Sequence, residues 1–339
     1  MAIDFVIAWV DGSDPQWAAQ KATYLNMPEY SADAARGLID AGKARYRDWD
    51  NLRYWFRAVE QYAPWVRKIH FITNGQIPKW MDIHAPKLHV VKHSDYLLPE
   101  YLPTFNSHPI ELNMHRIEGL TEHFVYFNDD FFINAPIQPE DFFVNGLPCC
   151  ALEENPLSCS SGELWEYVRL NDTAFLNRHF DRLESRRAHP QWWFDLKNPV
   201  GMIKNLLFTV IRRNNFFGLE ANHLPQPYLK SVIREVWELE PDVLHETSCN
   251  KFRSIRDVSQ CVLKHYQMLT GRFYPSNIRK KSYVFSGYWD PHQVTEAITK
   301  HQYKMICIND GVAADFEMAK EKVNAAFEQA LPKKSSFEL

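Results

Sequence analysis

The sequence predicts an α/β protein built on a mostly parallel, doubly wound (Rossmann-like) sheet with a helical insertion. Three observations predict it. Short β-branched and aromatic runs alternate with helix-spaced apolar positions through the first 150 residues, the pattern of parallel strands joined by crossover helices. Strand-like runs stop at clusters of Asp, Asn and Gly, and such sheets bind ligands at the carboxyl ends of their strands. The segment 151–220 breaks the alternation, being rich in Arg, Asn and aromatic residues and helical in pattern.

In chain order, Ile3 to Val10 is a β-branched run halted by Asp11-Gly12-Ser13-Asp14-Pro15, a turn-rich cluster. Asp50 to Tyr62 places Leu52, Trp55, Phe56 and Val59 at helical spacing. Lys68 to Asn74 reads as a strand closed by Asn74-Gly75, and Leu88 to Lys92 as a short strand. Ser107 to Ile117 reads as a helix. His123 to Phe127 is a strand ending in Asn128-Asp129-Asp130. In the middle segment Arg178, Arg182, Arg186, Arg187, Arg212 and Arg213 lie beside the apolar pair Val210-Ile211. That pattern fits a helical subdomain with a solvated basic face, or an insertion that covers an acceptor or rests on a membrane surface. From Leu219 polar motifs return, Ala314 to Leu331 forms an amphipathic helix, and 332–339 reads as a disordered tail.

Length and charge narrow the function. With 339 residues the chain holds one large or two modest domains. A formal charge of −4 advertises no nucleic-acid surface. The six cysteines form no C-x-x-C pair and no zinc spacing, which fits free thiols in a reducing compartment. Met1-Ala2-Ile3-Asp4 opens straight into a strand-like run, and no apolar stretch reaches the ~18–20 residues of a membrane span. A cytoplasmic protein is expected. The abundance of Trp, Tyr and Phe suits sugars and bases, which stack on rings, and equally suits an aromatic core.

Several residues could carry chemistry. Asp129 and Asp130 follow an apolar strand, where paired carboxylates clamp a hard divalent cation and a diphosphate, although Asn and Asp are also common in plain turns. In Trp9-Val10-Asp11-Gly12-Ser13-Asp14-Pro15, Gly12 lets a ligand approach the backbone, and Asp11 or Asp14 could hold a base, a ribose or a metal. Thr104-Phe105-Asn106-Ser107 reads as a helix entry with Ser107 as N-cap and Glu111 in the first turn or just beyond. Arg116 follows on a face that supports a phosphate or pairs with Glu111. His223 lies in a loop stiffened by Pro225 and Pro227, as a general base or a structural anchor. Arg253 could neutralise phosphate charge or lie idle on the surface.

Together these pieces resemble the Stealth family, named for bacterial capsule and exopolysaccharide phosphotransferases and including the catalytic subunit of the animal N-acetylglucosamine-1-phosphotransferase. Four blocks carry the resemblance. They are Ile7 to Pro15; a long block from Arg45-Tyr46-Arg47-Asp48 through Arg53 and Asn74 to Asn128-Asp129-Asp130; His223-Leu224-Pro225-Gln226-Pro227-Tyr228 with Arg253; and Cys307-Ile308-Asn309-Asp310. In the last block a second acid tends to follow, and here Gly311 stands in its place.

A GT-A-like nucleotide-sugar-binding half is expected over 1–150 and the remainder of the catalytic domain over 221–331, with the helical insertion over 151–220, which matches none of the blocks, between them. The resemblance implies a UDP-hexose donor attacked at its β-phosphorus by a saccharide hydroxyl, with release of UMP. The expected catalytic residues are His223, Asp129, Asp130, Asp11 and Arg253. Substrate binding falls to Trp9, Gly12, Asp14, Arg53, Asn74, Asn106, Ser107, Glu111, Arg116 and Asn128. Asp129, Asp130, Asn309 and Asp310 are expected to hold Mg²⁺ or Mn²⁺. The rival reading is a metal-dependent glycosyltransferase that attacks the anomeric carbon and releases UDP.

Overall fold

The computed structural model describes residues 1–159, 164–276, 281–309 and 315–339. Its centre is a five-stranded sheet in the order β3-β2-β1-β4-β6, made of β1 (Ile3–Ala8), β2 (Ile69–Thr73), β3 (Leu88–Lys92), β4 (His123–Phe127) and β6 (Gln226–Leu229). The first four are parallel and β6 is antiparallel to β4. The expected mostly parallel, doubly wound sheet is therefore present. A smaller sheet, β7-β8-β5, joins β5 (Phe131–Ile133), β7 (Ser282–Phe285) and β8 (Met305–Ile308).

Strand periodicity sorts the core into two layers. Phe5, Ile7, Phe71, Val125 and Phe127 face a cluster completed by α2 (Leu52–Tyr62), the small sheet and the C-terminal helix (Phe316–Ala330). Val6, Ile72, Phe124 and Tyr126 face the other cluster, with α6 (Lys230–Leu239) and α7 (Cys261–Leu269). The remaining helices needed below are α1 (Pro15–Leu25), α3 (Ser107–Leu112), α4 (Leu164–His179) and α5 (Pro199–Leu207).

Four expectations are corrected. The tail is ordered: Phe337 is buried against Phe56, and Glu338 pairs with the buried Arg57 at 2.8 Å. Backbone bonds from the Asp82 amide to the Phe337 carbonyl at 2.8 Å and from the Leu339 amide to the Trp80 carbonyl at 2.9 Å pin the segment further. The N-cap of α3 is Asn106, whose side chain accepts from the His108 amide, and not Ser107. The helix also stops at Leu112, and a separate 3₁₀ turn covers Met114–Arg116. The arginines of 151–220 form no uniformly solvated face, because Arg182 and Arg186 are buried against Glu154. Among the described residues no helix is long and apolar enough to cross a membrane.

Candidate active site

The acidic pair lies where the winding of the sheet reverses. β2 and β3 extend to one side of β1 while β4 lies on its other side, so the loops after Ala8 and Phe127 open a crevice between them. The Asn128-Asp129-Asp130 turn is closed by a 3.1 Å bond from the Phe131 amide to the Asn128 carbonyl. Phe127 and Phe131, on its two shoulders, are both buried. The turn thus links the central sheet to the small one and is anchored on each side by a core ring.

Antiparallel β6 brings the histidine to the same place. Because β6 runs against β4, the loop entering β6 arrives at the end where β4 leaves. His223 Nε2 consequently lies 2.9 Å from Asp130 Oδ2, and its ring meets Phe131 edge-on at 4.7 Å. The Cys307 thiol, near the end of β8, donates to the same oxygen at 3.3 Å. The other oxygen, Oδ1 of Asp130, is buried without a protein partner, as is Oδ1 of Asn128. Two orphaned oxygens beside a second carboxylate fit a hard divalent cation. Asp130, His223 and Cys307 also lie close enough together to share an ion. Burial and the neighbouring Asp130 charge, however, push the Cys307 thiol well up, which favours a hydrogen-bond donor over a thiolate ligand.

Electrostatics separates the two carboxylates. Asp129 opens into the crevice, yet protein surrounds it. Burial, reinforced by the charges of Asp130 and Asp48, pushes its carboxyl up to about 7. Burial would also raise Asp130, but the charge and hydrogen bond of His223 outweigh it and hold Asp130 below the usual carboxylate range. For His223 the crevice walls disfavour the charged ring, and Asp130 reverses that, so its imidazole sits above the ordinary value.

Three cavities meet at these residues. A crevice of about 500 Å³ is lined by Asp48, Asp129, Asp130, His223, Arg253 and Asn309. A narrower pocket runs beneath it among Trp9, Tyr46, Phe105, Asn106, Glu111 and Asn128, with Ser107 and Arg253 on its wall. A third cavity of about 280 Å³ opens beyond His223 and is lined by Trp165, Asn222, Gln260 and Lys264. Lys264 is buried, and among the described residues its ammonium has no hydrogen-bond or ion-pair partner.

The sequence-predicted residues therefore divide. Trp9, Asn106, Ser107, Glu111, Asn128, Asp129, Asp130, His223, Arg253 and Asn309 converge. Arg253 Nη2 donates to Ser107 Oγ at 2.8 Å, which fixes the guanidinium over the pocket. Asp11, Asp14 and Arg53 line an adjoining groove with Trp80 and share Trp9 and Asp48 with the crevice. There Asp14 accepts from the Trp17 amide and caps α1, and Asp11 accepts from Ser13. Gly12 serves chain packing and not ligand approach: a Cβ there would lie 2.0 Å from the Tyr46 carbonyl oxygen. Asn74 accepts from the Gln76 amide in its own turn, and Arg116 packs over the Trp237 ring, so neither lines these cavities. Asp310 lies outside the described residues.

Sequence reasoning missed Asp48, Lys264 and Asp257. Asp48 stood inside a quoted block, but nothing in its neighbours marks it as facing the acidic pair. Asp257 is fully buried and accepts from Asn106 Nδ2, His108 Nδ1, Asn250 Nδ2 and the Ser254 amide. It joins the loop carrying Arg253 to the start of α3, a juxtaposition that no local pattern reveals.

Family models for three Stealth regions match the chain: conserved region 1 over residues 1–28, conserved region 2 over 45–149 and conserved region 4 over 296–339. A capsular polysaccharide phosphotransferase of Streptococcus pneumoniae is 38% identical over 99% of this chain and 98% of its own length. A receptor polysaccharide phosphotransferase of Streptococcus oralis is 37% identical over 99% of both chains. An exopolysaccharide phosphotransferase of Lactiplantibacillus plantarum is 35% identical over 99% of this chain and 96% of its own.

Proposed function

The chain belongs to the Stealth family, and from that premise we propose that it transfers a hexose 1-phosphate from a UDP-sugar to a saccharide hydroxyl in polysaccharide synthesis. The relatives are phosphotransferases over their full length, so the chain is an enzyme of sugar-phosphate transfer. The observation that carries the reading is the position of His223 between the acidic crevice and the cavity of Lys264.

In this reading the donor diphosphate lies in the crevice. Asp129, Asp130 through its free oxygen, Asn128 and Asn309 would hold Mg²⁺ or Mn²⁺, which when bound neutralises the diphosphate and the leaving UMP. With Nε2 donating to Asp130, the His223 ring keeps Nδ1 as the proton acceptor. The acceptor enters from the third cavity, where the Trp165 ring offers a stacking face and Lys264 a cation. His223 takes the hydroxyl proton as the acceptor oxygen bonds to the β-phosphorus. The bond from that phosphorus to the bridging oxygen breaks, and UMP leaves with the electron pair. Arg253 faces the phosphoryl oxygens, where charge accumulates.

The test is product identification from a panel of UDP-sugars with a saccharide acceptor. UMP release with the β-phosphorus retained in the saccharide product supports the reading. UDP release, with phosphorus absent from the product, would make the chain a glycosyltransferase.

A further inference from the structure

The helix α5 is amphipathic in the reverse sense. A surface helix ordinarily turns its apolar stripe inward and its polar face to water. Here the buried positions are Gly201 and Asn205. Asn205 donates to the Leu152 and Trp193 carbonyls and accepts from the Glu154 amide. Gly201 presses so closely that a Cβ would lie 2.2 Å from Asn198 Nδ2 and 2.5 Å from Glu153 Cγ. The helix is thus seated through a small and polar seam. Its aliphatic side chains point outward: Val200, Ile203, Leu206 and Leu207 are 55 to 67% exposed, and Leu196 and Val210, flanking the helix, 81%. Among the described residues none covers these side chains, and contiguous apolar patches on soluble proteins mark interaction sites.

Charge identifies the partner. From Leu196 to Leu219 there is no Asp or Glu, while Lys197, Lys204, Arg212 and Arg213 fall within the same stretch of a chain whose formal charge is −4. Arg212 and Arg213 are exposed directly after the last aliphatic residue, Ile211. Lys204 lies on the helix itself, 3.9 Å from carboxylates of both Glu153 and Glu220. The exposed apolar side chains are aliphatic. Aliphatic side chains bordered by basic ones match the boundary between acyl chains and anionic head groups. We infer that residues 196–213 form an interfacial docking surface for an anionic lipid bilayer, on which α5 lies in the plane of the membrane without spanning it.

The experiment is co-sedimentation of the full chain with vesicles of equal phosphatidylglycerol and phosphatidylcholine, and with phosphatidylcholine alone. Binding is expected to the anionic vesicles, and weaker binding to the neutral ones. Ile203→Glu/Leu207→Glu is expected to lower the bound fraction on anionic vesicles by about tenfold or more with an unchanged melting temperature, since both side chains already face water. Arg212→Glu/Arg213→Glu is expected to remove the preference for phosphatidylglycerol. Absence of sedimentation, equal sedimentation with both vesicles, or sedimentation that the first variant leaves unchanged would each overturn the inference. So would a dimer that the first variant dissolves in a protein that binds no vesicle, because the face would then belong to a second copy.

Discussion

His223 Nε2 and Asp130 Oδ2, 93 residues apart in sequence, lie 2.9 Å apart at the mouth of the crevice. A residue read as the base and a residue read as a metal ligand thus form one unit, with one carboxylate oxygen given to the ring and the other left free. Substitution at either is expected to disturb both roles.

The coupling is directly measurable. In metal-free protein the His223 ring is expected to titrate above the ordinary ~6.5 of histidine, because the Asp130 charge outweighs burial. Asp130→Asn removes that charge and leaves burial dominant, so the titration should move below ~6.5. Proton NMR of the imidazole against pH reads it. A midpoint unmoved by Asp130→Asn would show that the ring and the carboxylate are uncoupled in solution.

Chelation is expected to abolish transfer, and Mg²⁺ or Mn²⁺ to restore it. Asp129→Asn and Asp130→Asn should each reduce kcat by about 10²-fold or more, since each removes a charged ligand of the cation that neutralises the diphosphate. Full turnover in excess EDTA would show that the acidic crevice works without a cation.

Asp257→Ala leaves four donors, three of them buried, without their acceptor. A loss of about 3–5 kcal/mol is expected by denaturant unfolding. The milder Asp257→Asn should fold and lower kcat while leaving donor affinity nearly intact, because Arg253 is held by the loop that Asp257 anchors. Wild-type kcat in Asp257→Asn would confine Asp257 to stability.

Lys264→Met preserves bulk and removes the ammonium of a residue that lines the third cavity. Donor affinity measured by calorimetry should stay unchanged while transfer to the saccharide falls, mainly through a raised acceptor KM. A weakened donor with an unaltered acceptor KM would assign the third cavity to the nucleotide-sugar.

Asp4 provides a pH prediction for stability. Burial alone would raise its carboxyl, but bonds from His70, Arg67 and the Thr121 amide bring it down to about 2 from 3.8. A depressed carboxyl stabilises the fold above the unfolded value and loses that contribution as pH falls towards the folded one. About 2 kcal/mol should therefore disappear between pH ~4 and ~2, by linkage from the shift. In Asp4→Asn that share of the acid loss should be absent, as read by urea midpoints across the range.

Much of this architecture is legible locally. The runs at Ile3, Lys68, Leu88 and His123 are short and β-rich and end in polar turns, so parallel strands with ligand-facing ends could be read from them. The acidic pair was legible because aromatic residues flank it on both sides. What stayed hidden depends on pairing between distant segments. The antiparallel placement of β6, which brings His223 to Asp130, has no local signature. Neither has Asp257, whose donors come from loops about 150 residues apart, nor Lys264, which sits in a helix buried on nearly all sides. Gly12 read as an open approach to ligand because the sequence cannot show that Tyr46 already fills the space.

The bond between Arg57 and Glu338 sets an order on biosynthesis. The guanidinium is made 281 residues before Glu338, an interval of tens of seconds at ~5–20 residues per second. The first core layer therefore gains the Phe337 ring beside Phe56 only after residue 337 has been added. A chain truncated before residue 337 would leave one side of the Phe56 ring without Phe337 and the buried Arg57 without Glu338.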